Sequence, residues 1–123
     1  MEKILVVEDD QFLASLLKNR LQKEGFDVLL AKDGEEALNI LESTQPELVL
    51  LDIILPKKSG FEVMEEVREN PKLEKLAVVI ISNLGQPEDM VRGQQLGAIE
   101  YFIKAKTPLD ELIKKIKEIV QAV

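Results

Sequence analysis

Short β-branched or Leu-rich runs alternate five times with longer segments of helical period, and that alternation restricts the chain to a parallel sheet joined by crossover helices. The runs Ile4–Val7, Val28–Ala31, Leu48–Leu51, Ala77–Ile81 and Tyr101–Ile103 read as strands. Several are continuously apolar, the pattern of strands covered on both faces. Leu13, Leu16, Leu17 and Leu21 keep helical spacing in the first crossover, and Gly25 stops that helix. Ala37, Leu38 and Leu41 mark a second helix that ends before Pro46, and Phe61, Met64 and Val67 a third that ends before Pro71. The fourth, near Pro87 to Leu96, has a thin apolar stripe and an interior Gly93, which costs about 1 kcal/mol relative to Ala; it is expected to be the most mobile helix. The last is the clearest. Thr107 reads as its N-cap and Pro108 as its first helical residue, with Leu112, Ile113, Ile116, Ile119, Val120 and Val123 in one stripe and Lys114, Lys115 and Lys117 opposite.

Five strand and helix pairs in 123 residues fill one domain, residues 1–123, built as an open doubly wound α/β sheet. Ligands of such sheets sit beyond the carboxyl ends of the strands. Composition narrows what they can be. With 16 basic against 23 acidic residues the net charge is −7, which repels a nucleic-acid backbone and an anionic membrane alike. Neither Cys nor His is present, so disulfides, thiolate chemistry, an imidazole base and the usual zinc ligands are excluded. No apolar run approaches the roughly 20 residues that span a bilayer, and Met1-Glu2-Lys3-Ile4 does not open a signal peptide. A cytoplasmic protein is expected.

The polar residues at the strand ends carry the remaining chemistry. The first strand runs into Glu8-Asp9-Asp10, the third into Asp52, the fourth into Ser82 and the fifth into Lys104. Asp10, directly before an apolar-periodic helix, reads as its N-cap. Glu8, Asp9 and Asp52 would crowd carboxylates at neighbouring strand ends, and two charges about 5 Å apart repel by roughly 3 kcal/mol at an effective dielectric of 20. One Lys cannot neutralise three acids. A hard divalent cation such as Mg²⁺, held through carboxylates and sharing phosphate oxygens, can. Ser82 taken singly caps a turn and Lys104 reaches solvent. Together with the acids they place a hydroxyl and a cation around a carboxylate nucleophile, the parts needed for phosphoryl transfer to Asp52.

With ILVVEDD at 4–10, LVLLDIILPKKSGFEV at 48–63, VVIIS at 78–82 and YFIK at 101–104, the chain resembles the receiver domain of two-component response regulators along essentially its whole length. The resemblance implies strand order 2-1-3-4-5 with five helices on both faces. It implies Asp52 as phospho-acceptor, and Glu8, Asp9, Asp52 and the backbone carbonyl of Ile54 as ligands of Mg²⁺. Ser82 then matches the hydroxyl residue that follows the phosphoryl group, Lys104 the phosphate-binding lysine and Tyr101 the switch aromatic. The implied donor is a phosphohistidine of a sensor histidine kinase or histidine phosphotransfer protein, and the implied reader is an effector protein or an output domain at the helix 4, strand 5 and helix 5 surface. Such a chain is a regulator that catalyses only its own phosphorylation and dephosphorylation. It can be a stand-alone regulator, a relay intermediate or the front of a longer protein.

Three positions depart from the family pattern. Ser59 replaces the common Asp or Asn before Gly60, and bears on capping of the third helix. Asn83 stands after Ser82 where Ala or Gly is common, narrowing access of the phosphodonor, and Ala105 replaces a Pro whose cis peptide costs about 3 kcal/mol without proline. Other functions fit less well. A haloacid-dehalogenase-like phosphatase wants a second Asp where Ile54 stands, and a flavin carrier wants a Ser, Thr and Gly-rich loop where the acids stand. A receiver used only as an interaction module does not need all five site residues. There is no GxxxxGK[ST] or GxGxxG loop for a nucleotide and no His to phosphorylate, so the donor is a separate protein. By the same resemblance Ile54 and Leu84, two residues after the acceptor and after Ser82, line the path of the hydrolytic water; neither can hydrogen-bond to it, which predicts a long-lived acyl phosphate.

Overall fold

The computed structural model describes residues 2–121; Val123, assigned above to the last apolar stripe, lies outside them. The order is β1 (Lys3–Val7), α1 (Gln11–Lys23), β2 (Asp27–Ala31), α2 (Gly34–Ser43), β3 (Leu48–Leu51), α3 (Gly60–Glu69), β4 (Ala77–Ser82), α4 (Pro87–Gln95), β5 (Glu100–Ile103), a 3₁₀ turn (Lys104–Lys106) and α5 (Leu109–Gln121). The strands are all parallel and lie in the order β2-β1-β3-β4-β5, as expected.

Alternate strand residues feed two cores. Leu5, Val7, Val49, Leu51, Val78 and Ile80 pack with Ala37 and Leu41 of α2 and Phe61, Met64 and Val67 of α3. Ile4, Val6, Leu48, Leu50, Val79 and Ile81 pack with Leu17 and Leu21 of α1 and Leu112, Ile113, Ile116 and Val120 of α5. Burial on both faces is why the strands read as unbroken apolar runs.

Local signals set the helix ends. Asp10 accepts from the backbone N–H of Phe12 at 3.0 Å and of Leu13 at 3.2 Å, the expected N-cap. Gly25, at φ 95°, closes α1 by donating to Gln22 O at 3.0 Å. Ser59 and Glu62 form a reciprocal capping box on α3. Thr107 differs from its expected role. Helix α5 begins at Leu109, and the Thr107 hydroxyl donates back to Ile103 O at 3.0 Å, because the 3₁₀ turn brings that carbonyl within reach. Helix α4 buries only Gly93. At roughly 1.5–3 kcal/mol per buried apolar side chain, α5 with four of them is held to the sheet far more firmly than α4.

Candidate functional site

Sheet register assembles the site. Val7 lies opposite Leu51 and Leu51 opposite Ile80, so the residues that follow β1 and β3 emerge side by side. The N–H of Asp52 donates to Val7 O at 3.0 Å and that of Glu8 to Ala31 O at 2.9 Å, extending the ladder into the site. Glu8 and Asp52 are 1% and 3% exposed, whereas Asp9 is open to solvent. One carboxylate oxygen from each of Glu8, Asp9 and Asp52 lies within 4.8 Å of the others.

Lys104 reaches into this cluster instead of escaping to solvent. Its Nζ is 2.7 Å from Glu8 Oε1 and 2.8 Å from Asp52 Oδ2. Asp52 Oδ1 accepts from the N–H of Ile53 at 2.7 Å and of Ile54 at 3.3 Å, and Glu8 Oε2 from that of Asp10 at 3.1 Å. Burial pushes the Glu8 carboxyl above its ordinary value; Lys104 and the Asp10 N–H pull it back and the Asp52 charge adds to the rise. For Lys104 burial acts downward, but its hydrogen bonds to Asp52 and Glu8 and their charges outweigh it and raise its pKa. One ammonium therefore faces three carboxylates. Glu8 Oε1 is buried, and Lys104 at 2.7 Å is the cation it meets there. Three carboxylate oxygens within 4.8 Å of one another, two of them on buried side chains and with a single ammonium against them, fit a hard divalent cation.

Ser82 is fully buried at the end of β4, and its Oγ accepts from the N–H of Leu84 at 3.2 Å. The Tyr101 hydroxyl donates to Leu84 O at 2.7 Å. The hydroxyl residue and the aromatic thus meet on one intervening residue, through its two backbone groups, which the sequence did not suggest. The Tyr101 ring also lies under α4, where a Cβ on Gly93 would stand 3.0 Å from its Cδ2 and 2.9 Å from Ile80 Cδ1. Gly93 is thus a contact surface as well as a weak helix former. Ile54 is 59% exposed beside the acceptor, while Leu84 is half-buried against the α2–α3 core. Asn83 is exposed, and no peptide bond among the described residues, that of Lys104–Ala105 included, is cis.

Sequence reasoning overlooked how the loop between β3 and α3 is held. A Cβ on Gly60 would stand 2.3 Å from Asp52 O, and one on Gly34 the same distance from Lys58 O. Two backbones therefore close on the acceptor loop where only glycine fits. Lys57 turns the loop at φ 68°, with Nζ 3.7 Å from Glu35 and 3.9 Å from the buried Asp33. The PKKSG run was the available signal.

Known proteins resemble this chain in both sequence and fold. The CpxR transcriptional regulatory protein of Klebsiella pneumoniae is 40% identical over 121 residues, which are 98% of this chain and 50% of that protein. The alkaline phosphatase synthesis regulator PhoP of Bacillus subtilis is 36% identical over 98% of this chain and 49% of its own length. The chain thus spans about half the length of these relatives. Among solved structures, a CheY-like receiver domain protein of Methanospirillum hungatei superposes with a TM-score of 0.91 at 28% identity, covering 99% of this chain and 95% of that one. A receiver domain of a Francisella response regulator gives 0.90 at 26% identity, over 99% and 98%. Residues 4–117 match the family model of the response regulator receiver domain, which takes in all the strand-end residues described above, and the chain belongs to that family.

Proposed function

We propose that the chain is a phosphoryl-accepting switch in which Asp52 is the acceptor. The observation that carries this reading is the buried Asp52 carboxylate with Oδ1 tied by two backbone N–H groups and Oδ2 held by Lys104. Oδ2 is then the nucleophile, because a flexible lysine can release it whereas two backbone donors cannot move. Oδ2 attacks the phosphorus of a phosphohistidine on a sensor kinase or histidine phosphotransfer protein. The P–O bond forms, the P–N bond breaks, and its electron pair leaves on the imidazole, which takes up a proton. Lys104 follows the new phosphoryl oxygens, and Ser82 leaves the Leu84 N–H that its Oγ accepts and donates its hydroxyl proton to one of them. Glu8, Asp9, Asp52 and the Ile54 carbonyl would hold Mg²⁺, which supplies charge neutralisation at the transferring oxygens.

The output is read at the surface of α4, β5 and α5. Movement of Ser82 passes through the backbone of Leu84, from its N–H to its carbonyl, to Tyr101, and from that ring to Gly93 of α4. The reader is an effector protein or an output domain of the kind implied by relatives twice as long. Acetyl phosphate with Mg²⁺ should add one phosphoryl group by intact-mass spectrometry, and Asp52→Asn or chelation should abolish it. Full phosphorylation of Asp52→Asn would overturn the assignment.

A further inference from the structure

Helix α4 is mounted unequally at its two ends. Its amino end has no side-chain cap, since Gln86 makes none, and every residue from Pro87 to Arg92 is exposed except the half-buried Asp89. Midway, Arg92 stacks over Phe61 at 4.4 Å and meets Glu65 at 3.0 Å, contacts that water weakens. The carboxyl end is different. Arg68 of α3 donates Nε to Leu96 O at 2.7 Å and Nη2 to Gly97 O at 3.1 Å. Its Nη1 donates to Glu74 O at 2.9 Å and Leu76 O at 2.8 Å in the loop that leads into β4. One guanidinium thus satisfies carbonyls at the end of α4, where a cation also suits the helix dipole, and ties them to a second segment. Gly97 makes room for it: φ is 85°, and a Cβ there would stand 3.1 Å from Arg68 Nε.

We propose that Arg68 is a positioning residue that pins the carboxyl end of α4, so that α4 moves as a lever about that end. The proposal rests on the switch reading above and names the part of the output surface that changes. Leu84, whose N–H meets Ser82 and whose carbonyl meets Tyr101, lies three residues before the unpinned amino end. The phosphoryl site therefore acts on the free end while Arg68 holds the other. A nine-residue helix is about 13 Å long, so rotation about its carboxyl end displaces the first turns most. Those turns carry the exposed Met90 and Val91, the side chains a partner would find rearranged.

Amide hydrogen exchange on the whole protein tests this. In the parent, Leu96, Gly97 and Ala98 should exchange at least about tenfold more slowly than Met90 and Val91, the protection that roughly one further hydrogen bond confers. Arg68→Lys, which keeps the charge and loses the fork, should bring the two groups together while β1 and β3 amides stay within about twofold. Gly97→Ala, which crowds the guanidinium from the other side, should do the same. Beryllofluoride with Mg²⁺ should then shift Met90 and Val91 but not Leu96 to Ala98 in the parent, and the whole helix in Arg68→Lys. Unchanged protection at Leu96 to Ala98 in both variants, or an equal parent response at both ends of α4, would overturn the pin. The variant comparison is read without beryllofluoride, so a protein that ignores beryllofluoride around Asp52 refutes the switch reading while the exchange gradient still decides the role of Arg68.

Discussion

Tyr101 is the only tyrosine in a chain without tryptophan, so the phenolate absorbance that appears on alkaline titration reports this residue alone. Burial, with the charges of Asp89 and Asp52 added, raises its pKa above the ordinary 10.0. The folded state then keeps a proton that the unfolded state gives up, so the contribution is complete below pH 10 and is lost as pH rises through the folded value. A spectrophotometric titration should place the native midpoint above that of the urea-unfolded chain, with Asp89→Asn recovering only part of the difference because burial is the larger cause. Coincident native and unfolded curves would contradict the geometry. Ile54 carries the second prediction at this scale. With its side chain open beside the acceptor and unable to orient water, the acyl phosphate should persist, and Ile54→Asn should shorten its life roughly tenfold. Leu84→Glu is the poorer probe, since Leu84 is half-buried and its backbone serves both Ser82 and Tyr101. Decay of the phosphorylated protein in Mg²⁺, followed by mass, decides it; a parent that decays as fast as Ile54→Asn removes the side chain from the account.

Among the elements, α4 shows where sequence periodicity runs out. Its glycine reads as a flaw of about 1 kcal/mol, yet that position lets the Tyr101 ring and Ile80 approach the helix backbone. Hydrophobic period registers side chains, and a contact made by the absence of one leaves no trace in it. Gly93→Ala should therefore fail to gain the propensity expected of Ala, because an overpacked contact costs about 1–3 kcal/mol, whereas Gln94→Ala on the exposed side should lie within about 0.5 kcal/mol of the parent. Urea unfolding of both variants tests this, and a Gly93→Ala protein more stable by about 1 kcal/mol would show that the ring yields freely. The strands were legible for the opposite reason: both faces are buried, so Leu48–Leu51 and Ala77–Ile81 could hardly be anything else. Thr107 shows a smaller ambiguity, because a hydroxyl before Pro108 can serve the helix ahead or the carbonyl behind, and only the 3₁₀ turn decides. Arg68 was invisible because all four of its acceptors are backbone carbonyls, which no side-chain pattern marks, while the acid three residues before it, Glu65, pairs with Arg92 instead. The acids at the ends of β1 and β3 were readable because parallel strands deliver their next residues to one edge.

At that edge Glu8, Asp9 and Asp52 crowd together against the single Lys104, whereas elsewhere ion pairs such as Lys117 with Glu24 and Arg20 with Asp110 join separate segments one to one. Mg²⁺ should consequently stabilise the entire fold by mass action, by about 2.7 kcal/mol at a hundredfold excess over its dissociation constant. Denaturant unfolding should show the midpoint rising with Mg²⁺ and returning on chelation, with the rise much reduced in Asp9→Asn, whose side chain is exposed and carries no packing. Identical midpoints with and without Mg²⁺ would dissociate the acids from metal binding. The two glycines that close on the acceptor loop have a different bearing, on how this protein tolerates change. A saturation library scored for signalling would rank Gly34 and Gly60 beside Asp52, all three rejecting nearly every replacement. The same library scored for cellular abundance would separate them at Asp52→Asn, which keeps the volume of that buried side chain, whereas any Cβ at the glycines strikes main-chain oxygen. Intolerance at this edge therefore has two origins, chemistry and clearance.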